Sequence, residues 1–246
     1  MHTVQADIAL RQHPGQWSIR LWFVSVVIPL LILALILMAN YVGGDFKYWL
    51  LKSQVGIQES ATGALAFAAG VIGLIAYFHR GVRHDRKLRV WLLLFVMAMI
   101  YFAGEDLNWG QYYFGWNAPE FFQVHNREQE TNLHNMSPWF NQKPRLVVEL
   151  WLLIAGVLVP LGWRLPQRLT KKVVPNLLWP DMRLVFVSIM ALLAMVASSL
   201  QHHAIVPGIR WSEVQEIYFA YAWLLYALLL LARIGELRQD RASAHP

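Results

Sequence analysis

Long apolar runs without a formal charge constrain this chain more than any other feature. The first, Leu21–Val42, has 22 residues without Lys, Arg, Asp or Glu. A helix needs about 20 such residues to cross the hydrocarbon layer of a membrane. The chain is 57% hydrophobic and 15% charged, whereas soluble domains carry about 25% charged residues. We therefore predict an integral membrane protein.

Six such runs predict an all-α, six-span transmembrane helical bundle that forms one integral membrane domain over residues 1–246. The predicted spans are at about residues 21–42, 60–78, 90–109, 146–163, 184–200 and 214–232. The connection at 110–145 is broken by Gly and Pro and is rich in aromatic residues. It predicts a partly helical outer cap rather than a disordered loop.

Basic residues alternate between the two sides of this predicted bundle. Fifteen of the 21 Lys and Arg residues lie on the side of the two termini, and six lie on the other side. The positive-inside rule then places both termini in the cytoplasm and the cap outside. The net charge of +6 follows from topology and from contact with membrane lipid. It does not indicate nucleic-acid binding.

The chain contains no cysteine, which excludes disulfides, thiolate metal sites and cysteine nucleophiles. It also lacks the HExxH, Walker and GxSxG patterns of common hydrolases and nucleotide-binding proteins. Candidate chemistry is therefore limited to carboxylates, amides and imidazoles.

Glu105 and Asp106 close the third predicted span, where the helix dipole disfavours anions. The span also needs residues beyond Gly104 to reach a sufficient length, which draws both acids into the membrane. Carboxylates in this position usually face a bundle interior, a partner or a cavity. We expect Glu105 and Asp106 to be functional residues of one site, with Gln111 nearby. The alternative is a buried ion pair with Arg210 or Arg145.

Glu130 and His134 are four residues apart and would share one face of a short helix over 124–135. A carboxylate and an imidazole in this arrangement suit Zn, Mn or Fe. We therefore predict a divalent metal held by Glu130, His134 and Glu105.

Further acids are predicted to complete the walls of this site. Glu149 falls in the first turn of the short fourth span and is expected to be drawn below the interface. Glu59 and Glu216 are weaker candidates, because a carboxylate in the first turn of a helix is also favoured by the helix dipole. Glu120 and His125 are further candidates in the cap, and for His125 we expect a structural role.

Three sequence patterns resemble a group of uncharacterised bacterial multi-pass inner-membrane proteins. They are GEDLNWGQ at 104–111, Pro119-Glu120, and ETNLHN at 130–135. The group also has an acid that opens the second span, here Glu59. The resemblance implies a bacterial inner membrane with a periplasmic cap, and it implies no activity. Residues 106–108 are Asp-Leu-Asn where Glu-Ile-Ser is expected.

These observations favour a metal-assisted hydrolase or transferase that acts on a lipid or lipid-linked substrate. Glu105, Asp106, Glu149 and Gln111 would supply the catalytic groups. Two alternatives remain open: a carrier that couples to a cation or a proton, and a non-catalytic membrane assembly subunit.

Overall fold

The structure of the protein, a computed structural model, describes residues 23–52, 55–163, 178–201 and 208–243. Every regular element within these ranges is helical. The α-helices are α1 (Ile28–Val42), α2 (Gly44–Leu51), α3 (Ile57–Phe78), α4 (Arg86–Asp106), α5 (Gln111–Phe114), α6 (Glu120–His125), α7 (Pro138–Trp151), α8 (Met182–Gln201) and α9 (Trp211–Ser243). Short π-helices (Phe23–Val27, Leu152–Leu158) precede α1 and follow α7, and 3₁₀ turns (Arg80–Val82, Asn108–Gly110) flank α4.

Five helices are long and apolar enough to cross a membrane. They are Phe23–Val42, Ile57–Phe78, Arg86–Asp106, Met182–Gln201 and Trp211–Glu236. The all-α prediction is confirmed, and the five helices indicate a multi-pass membrane protein. The fourth predicted span coincides with the end of α7 and the following π-helix. It is not among the five, and it stays a prediction. The termini and the basic connection at 164–177 lie outside the described residues.

Helix α9 occupies the centre of the bundle, with 72% of its apolar window buried among the other helices. Tyr218 and Tyr226 are among its most deeply buried side chains. Each hydroxyl finds a backbone acceptor, with Tyr218 donating to Pro29 O at 2.9 Å and Tyr226 to Leu178 O at 3.0 Å. These bonds satisfy polar groups that would otherwise be costly in an apolar interior.

Small residues allow α3 to approach α4 closely. A Cβ atom at Gly63 would collide with the Leu107 side chain, and one at Gly73 would lie 2.8 Å from a ring carbon of Phe95. Helices in membranes gain van der Waals contact from such small-residue faces, because lipid provides no hydrophobic drive for them to associate. The crossing fixes the end of α4, and with it Glu105 and Asp106, beside the start of α3.

We use "site end" for the end of the bundle where α1, α4 and α8 finish and α3 and α9 begin. Contacts there include Ser60 Oγ with Tyr113 Oη at 2.6 Å and Trp211 N with Gln201 Oε1 at 3.4 Å. The polar residues singled out in the sequence are concentrated at this end.

Candidate functional site

The chain reverses direction immediately after α4 through three consecutive residues with positive φ. The φ values are 50° for Asn108, 53° for Trp109 and 92° for Gly110. Such values are uncommon for residues with a Cβ atom, and rarer for a bulky side chain. The turn folds the Trp109 ring back over Gly104, where a Cβ atom would lie 2.8 Å from ring carbons. This places the indole N–H of Trp109 against Glu105.

Glu105 is 5% exposed, and its carboxylate is surrounded by donors. Oε1 accepts a hydrogen bond from Trp109 Nε1 at 3.0 Å. Oε2 accepts hydrogen bonds from the backbone N–H groups of Leu133 at 2.7 Å and His134 at 3.0 Å. Glu105 therefore fixes a distant loop to the end of α4, which explains why the helix tolerates an acid at its C-terminus.

Glu130 is also buried, at 3% exposure, and accepts three side-chain hydrogen bonds. Tyr112 Oη donates to Oε1 at 3.0 Å. The side-chain amides of Asn132 and Asn135 donate to Oε2, each at 2.9 Å. Burial and the Glu130 carboxylate together raise the pKa of Tyr112 above its ordinary value, so Tyr112 remains a donor.

Asn132 is completely buried at the centre of this loop. Its side-chain amide donates to Asn108 Oδ1 as well as to Glu130, and its Oδ1 accepts from Asn126 Nδ2 at 2.8 Å. Gln111 is a positioning residue, because its Oε1 accepts from both the N–H and the hydroxyl of Thr131, at 2.7 and 2.8 Å. The GEDLNWGQ and ETNLHN patterns thus form one hydrogen-bonded unit.

The helix predicted over 124–135 is wrong. Helix α6 ends at His125, and residues 126–137 form turns and bends. Gln129 has a φ of 56°, which an α-helix does not allow. Asn126 Oδ1 accepts from Glu128 N at 2.9 Å, so the side chain replaces a helical backbone bond. Glu130 and His134 are brought near Glu105 by this turn.

His134 lies at the edge of the unit, with about a third of its side chain exposed. Its Nδ1 is 3.5 Å from Glu105 Oε2. Burial disfavours the charged imidazole, but the contact with Glu105 and the charges of Glu216 and Glu130 outweigh it. The pKa of His134 is therefore raised above its ordinary value of 6.5.

A second group of acids lies beside His134, where three helices meet. Asp106 interacts electrostatically with Glu59, Glu213 and Glu216, which belong to α3 and α9. Its Oδ2 is buried and makes no hydrogen bond within the described ranges. Buried carboxylates this close need a counter-charge, supplied by protons or a cation.

Arg145 supplies part of that counter-charge from α7. Its Nε is 3.3 Å from Glu149 Oε1, and its Nη1 is 3.9 Å from Glu216 Oε1. Gln215, fully buried, accepts from Arg145 and donates to Glu149 Oε1 at 2.7 Å. Arg145 therefore pairs with Glu149 and Glu216 rather than with Glu105, and Arg210 pairs with Glu213 at 3.1 Å.

Among the described residues, no group of three or more His, Asp or Glu side chains has the spacing of a metal site. The oxygens of Glu105 and Glu130 already accept hydrogen bonds, so a metal held by Glu130, His134 and Glu105 would displace several donors. That metal set stays a prediction. Asp106 interacts electrostatically with Glu59, Glu213 and Glu216, and these acids form a second polar group beside His134.

Two candidates in the cap lie away from this centre. Glu120 is exposed at the start of α6. The His125 ring stacks on Phe121 with centroids 4.6 Å apart, and its Nδ1 is 2.8 Å from Phe121 O. Both residues are peripheral to the site.

Several site residues escaped the sequence reasoning, because a single sequence gives no signal for them. Asn108, Tyr112, Asn126 and Asn132 are ordinary polar residues until the loop folds, and Gln215 is hidden within an apolar span. Glu213 could have been found, because it precedes Glu216 by three residues on the same helix.

Comparison of the chain with protein-family models, with curated proteins and with solved structures finds no match. The geometry at the site end, together with the charge pattern of the sequence, is therefore the basis for a functional assignment. The chain is a multi-pass helical membrane protein with a polar centre at one end of its bundle.

Proposed function

We propose that this protein is a membrane enzyme that performs acid–base chemistry on a lipid or lipid-linked substrate at the site end. His134 exchanges the proton, Glu105 orients its ring, and Asp106 with Glu216 forms the adjoining acidic wall. The observation that carries the proposal is the 3.5 Å contact between His134 Nδ1 and Glu105 Oε2 at a partly exposed position.

The arrangement has the features that general acid–base catalysis requires. A carboxylate that engages one ring nitrogen fixes the imidazole and leaves the other nitrogen to exchange a proton with substrate. The pKa of His134 is raised above its ordinary value of 6.5, which favours the protonated ring that a general acid requires. Glu149, through Arg145 and Gln215, holds Glu216 in place.

We place the site end at the periplasmic face of a bacterial inner membrane. The support is the excess of Lys and Arg on the opposite side of the predicted topology. In this arrangement α7 and its π-helical continuation form the fourth of six spans, and residues 110–145 form the cap. The exposed aromatic rings of the cap, such as Phe114, Trp116 and Trp139, suit a membrane interface and therefore a lipid substrate.

The proposal is tested by reconstituting the full chain in liposomes made from a bacterial membrane lipid extract. Lipid composition is followed over time by mass spectrometry. We expect a time-dependent change with the wild type and with His125→Gln, and a loss of at least a hundredfold in rate with His134→Gln. If no lipid changes with the wild type, or if His134→Gln reacts at the wild-type rate, the proposal fails.

A metal-assisted version of the same reaction uses Zn, Mn or Fe. The support is that Asp106 interacts electrostatically with Glu59 and Glu216, and Glu216 with His134. A bound cation would reduce the repulsion between these carboxylates, which would have to rearrange to reach the spacing of a metal site. A bound metal would polarise a carbonyl or phosphoryl oxygen or activate water. Elemental analysis of purified protein distinguishes the versions, because Asp106→Asn should lower a stoichiometric metal content only if this set binds it.

The electrostatic interaction between these acids supports one other function, a carrier coupled to a proton or a cation. They lie at the ends of helices rather than at mid-depth, which favours the enzyme. A sustained ion flux in liposomes that Asp106→Asn abolishes would establish the carrier instead.

A further inference from the structure

A small cavity lies at the site end between α1, α2 and the first turns of α3 and α9. Its volume is about 60 Å³. The apolar part of its wall includes Leu51 and Ile209, and the polar part is formed by Asn40, Lys47, Gln58 and Arg210. None of the described residues that line it is acidic, which sets it apart from the neighbouring acidic centre.

Two buried polar atoms in this wall lack a partner within the described part of the chain. Gln58 is 8% exposed, and its Nε2 donor makes no hydrogen bond there. Asn40 donates to Ile36 O at 2.9 Å, but its Oδ1 acceptor is likewise unpaired. An unpaired buried polar group costs about 1–3 kcal/mol. A ligand that accepts from Gln58 and donates to Asn40 would recover this cost.

Two basic residues also line the cavity. Lys47 is half-buried in its wall, and Arg210 lies immediately before α9. Arg210 pairs with Glu213 on one side, but a guanidinium group has five N–H donors. The N-termini of α3 and α9 both meet this cavity, and each contributes partial positive charge.

We propose that this cavity binds the phosphate group of a phosphate ester that also carries a hydroxyl or amine donor. Gln58, Lys47 and Arg210 would hold the phosphate oxygens, and Asn40 would accept from the neighbouring donor. The cavity has room for about four or five water-sized groups, which is the size of one tetrahedral oxyanion. A phospholipid headgroup and a soluble phosphate ester share this chemistry.

This site does not depend on the catalytic proposal, because it shares none of the residues assigned there. It lies next to that centre, however, since Gln58 precedes Glu59 and the cavity wall includes Val214 beside Glu213. A phosphate held here would fix a lipid substrate near His134, or would hold a lipid as a structural ligand.

The test is ligand-induced stabilisation of the full chain in detergent. The unfolding temperature is measured against glycerol phosphate and, separately, against a short-chain phosphatidylglycerol, at constant ionic strength with chloride as the balancing anion. The variants are Lys47→Gln and Gln58→Leu. The matched control is Lys52→Gln, which removes the same charge from a residue that does not line the cavity and lies 5.1 Å from the Tyr48 ring.

We expect saturable stabilisation of the wild type and of Lys52→Gln, and about tenfold weaker apparent binding in Lys47→Gln and Gln58→Leu. A response to both probes supports a site for phosphate esters in general, and a response to the lipid alone supports a headgroup site. If neither probe stabilises the wild type, or if Lys52→Gln weakens binding as much as Lys47→Gln, the site is refuted. Lys47→Gln alone decides the outcome if Gln58→Leu does not fold.

Discussion

Glu105 and His134, 29 residues apart in the sequence, meet twice at the site end. Glu105 Oε2 accepts the backbone N–H of His134 at 3.0 Å and lies 3.5 Å from Nδ1 of the same residue. One oxygen atom thus holds both the backbone and the ring of the proposed catalytic residue. Glu105 therefore both anchors the loop backbone and orients the His134 ring, and a substitution at Glu105 is expected to affect both.

Glu105→Gln should lower the stability of the protein. The glutamine side chain keeps one acceptor oxygen. Its NH₂ group, however, would face N–H donors that hydrogen-bond to the carboxylate of the wild type. We expect a loss of about 1–3 kcal/mol, measured as a lower unfolding temperature in detergent. Glu120→Gln, an exposed acid in the cap, is the control and should be neutral. Equal stability of the two variants would contradict the anchoring role.

Asn132→Asp tests the buried centre of the loop with almost no change in shape. The new carboxylate would face Glu130 Oε2 and Asn108 Oδ1, which now accept from the Asn132 amide. The oxygens of the new carboxylate would then face other acceptor oxygens with no donor between them. We expect this to destabilise the fold by about 2–4 kcal/mol. Unfolding temperature is the measurement, with the exposed Asn141→Asp as the control. A neutral effect of Asn132→Asp would mean that these bonds do not form.

The contribution of His134 to stability should depend on pH. Its pKa is raised in the folded protein, so the folded state binds the proton more tightly than the unfolded state. The stabilisation is fully present below about pH 6.5 and is lost as the pH rises through the folded-state pKa. The difference in unfolding temperature between the wild type and His134→Gln should therefore shrink as the pH rises from below about 6.5 through the folded-state pKa, because the ring loses its charge. A difference that grows with pH, or an equal trend in His125→Gln, would exclude this linkage.

Asp181 should show the opposite pH dependence at the other end of the bundle. Burial alone would raise its pKa, but the hydrogen bond from Arg183 and the charge of Arg233 lower it to about 2. Its stabilisation is therefore present above the ordinary value of 3.8 and is lost as the pH falls towards 2. Asp181→Asn should cost about 1–2 kcal/mol at neutral pH, and the difference from the wild type should narrow in acid.

The exposed Asp45→Asn provides the comparison for Asp181→Asn in the same unfolding experiment. Asp181 Oδ2 accepts from Arg233 Nη2 at 2.6 Å, so Asp181→Asn removes a negative charge that faces a largely buried guanidinium group. An equal loss of stability in acid and at neutral pH would rule out a charge-based contribution.

Gly156→Ala should be destabilising because of a single close approach. A Cβ atom at Gly156 would collide with the Ser188 side chain of α8, and overpacking of this kind costs about 1–3 kcal/mol. The double variant Gly156→Ala/Ser188→Gly should recover most of the loss in a double-mutant cycle. Gly235→Ala, where a Cβ atom meets open space, should be neutral or stabilising. Additive losses in the cycle would contradict the packing.

The membrane-spanning helices follow directly from sequence, because uncharged runs of about 20 residues have few alternatives to a transmembrane helix. Glu105 and Asp106 were also predictable as acids with close polar neighbours, since acids in or beside such runs need partners. Glu216 was a weaker candidate, because a helix N-terminus also favours an acid. The helix dipole, which disfavours an acid at a helix C-terminus, indicated Glu105 in the sequence. The loop whose N–H groups donate hydrogen bonds to its carboxylate was identified only in the structure.

The internal arrangement of the loop was not predictable. The spacing of Glu130 and His134 fits a helix, but Asn126 and the positive φ of Gln129 end helical geometry first. Side-chain amides that replace backbone bonds leave no periodic pattern in a sequence. The pairing of Arg145 with α9 depends on tertiary contacts and equally leaves no local signature.

Helix α9 follows every other described element in chain order, yet it is the element around which the others pack. During synthesis, the earlier spans therefore enter the membrane before the surface on which they assemble exists. Until α9 is made, Arg145 lacks Gln215 and Glu216, two of the residues that it contacts in the finished bundle. This order of synthesis leaves part of the polar contacts at the site end unmade until the last described helix is in place.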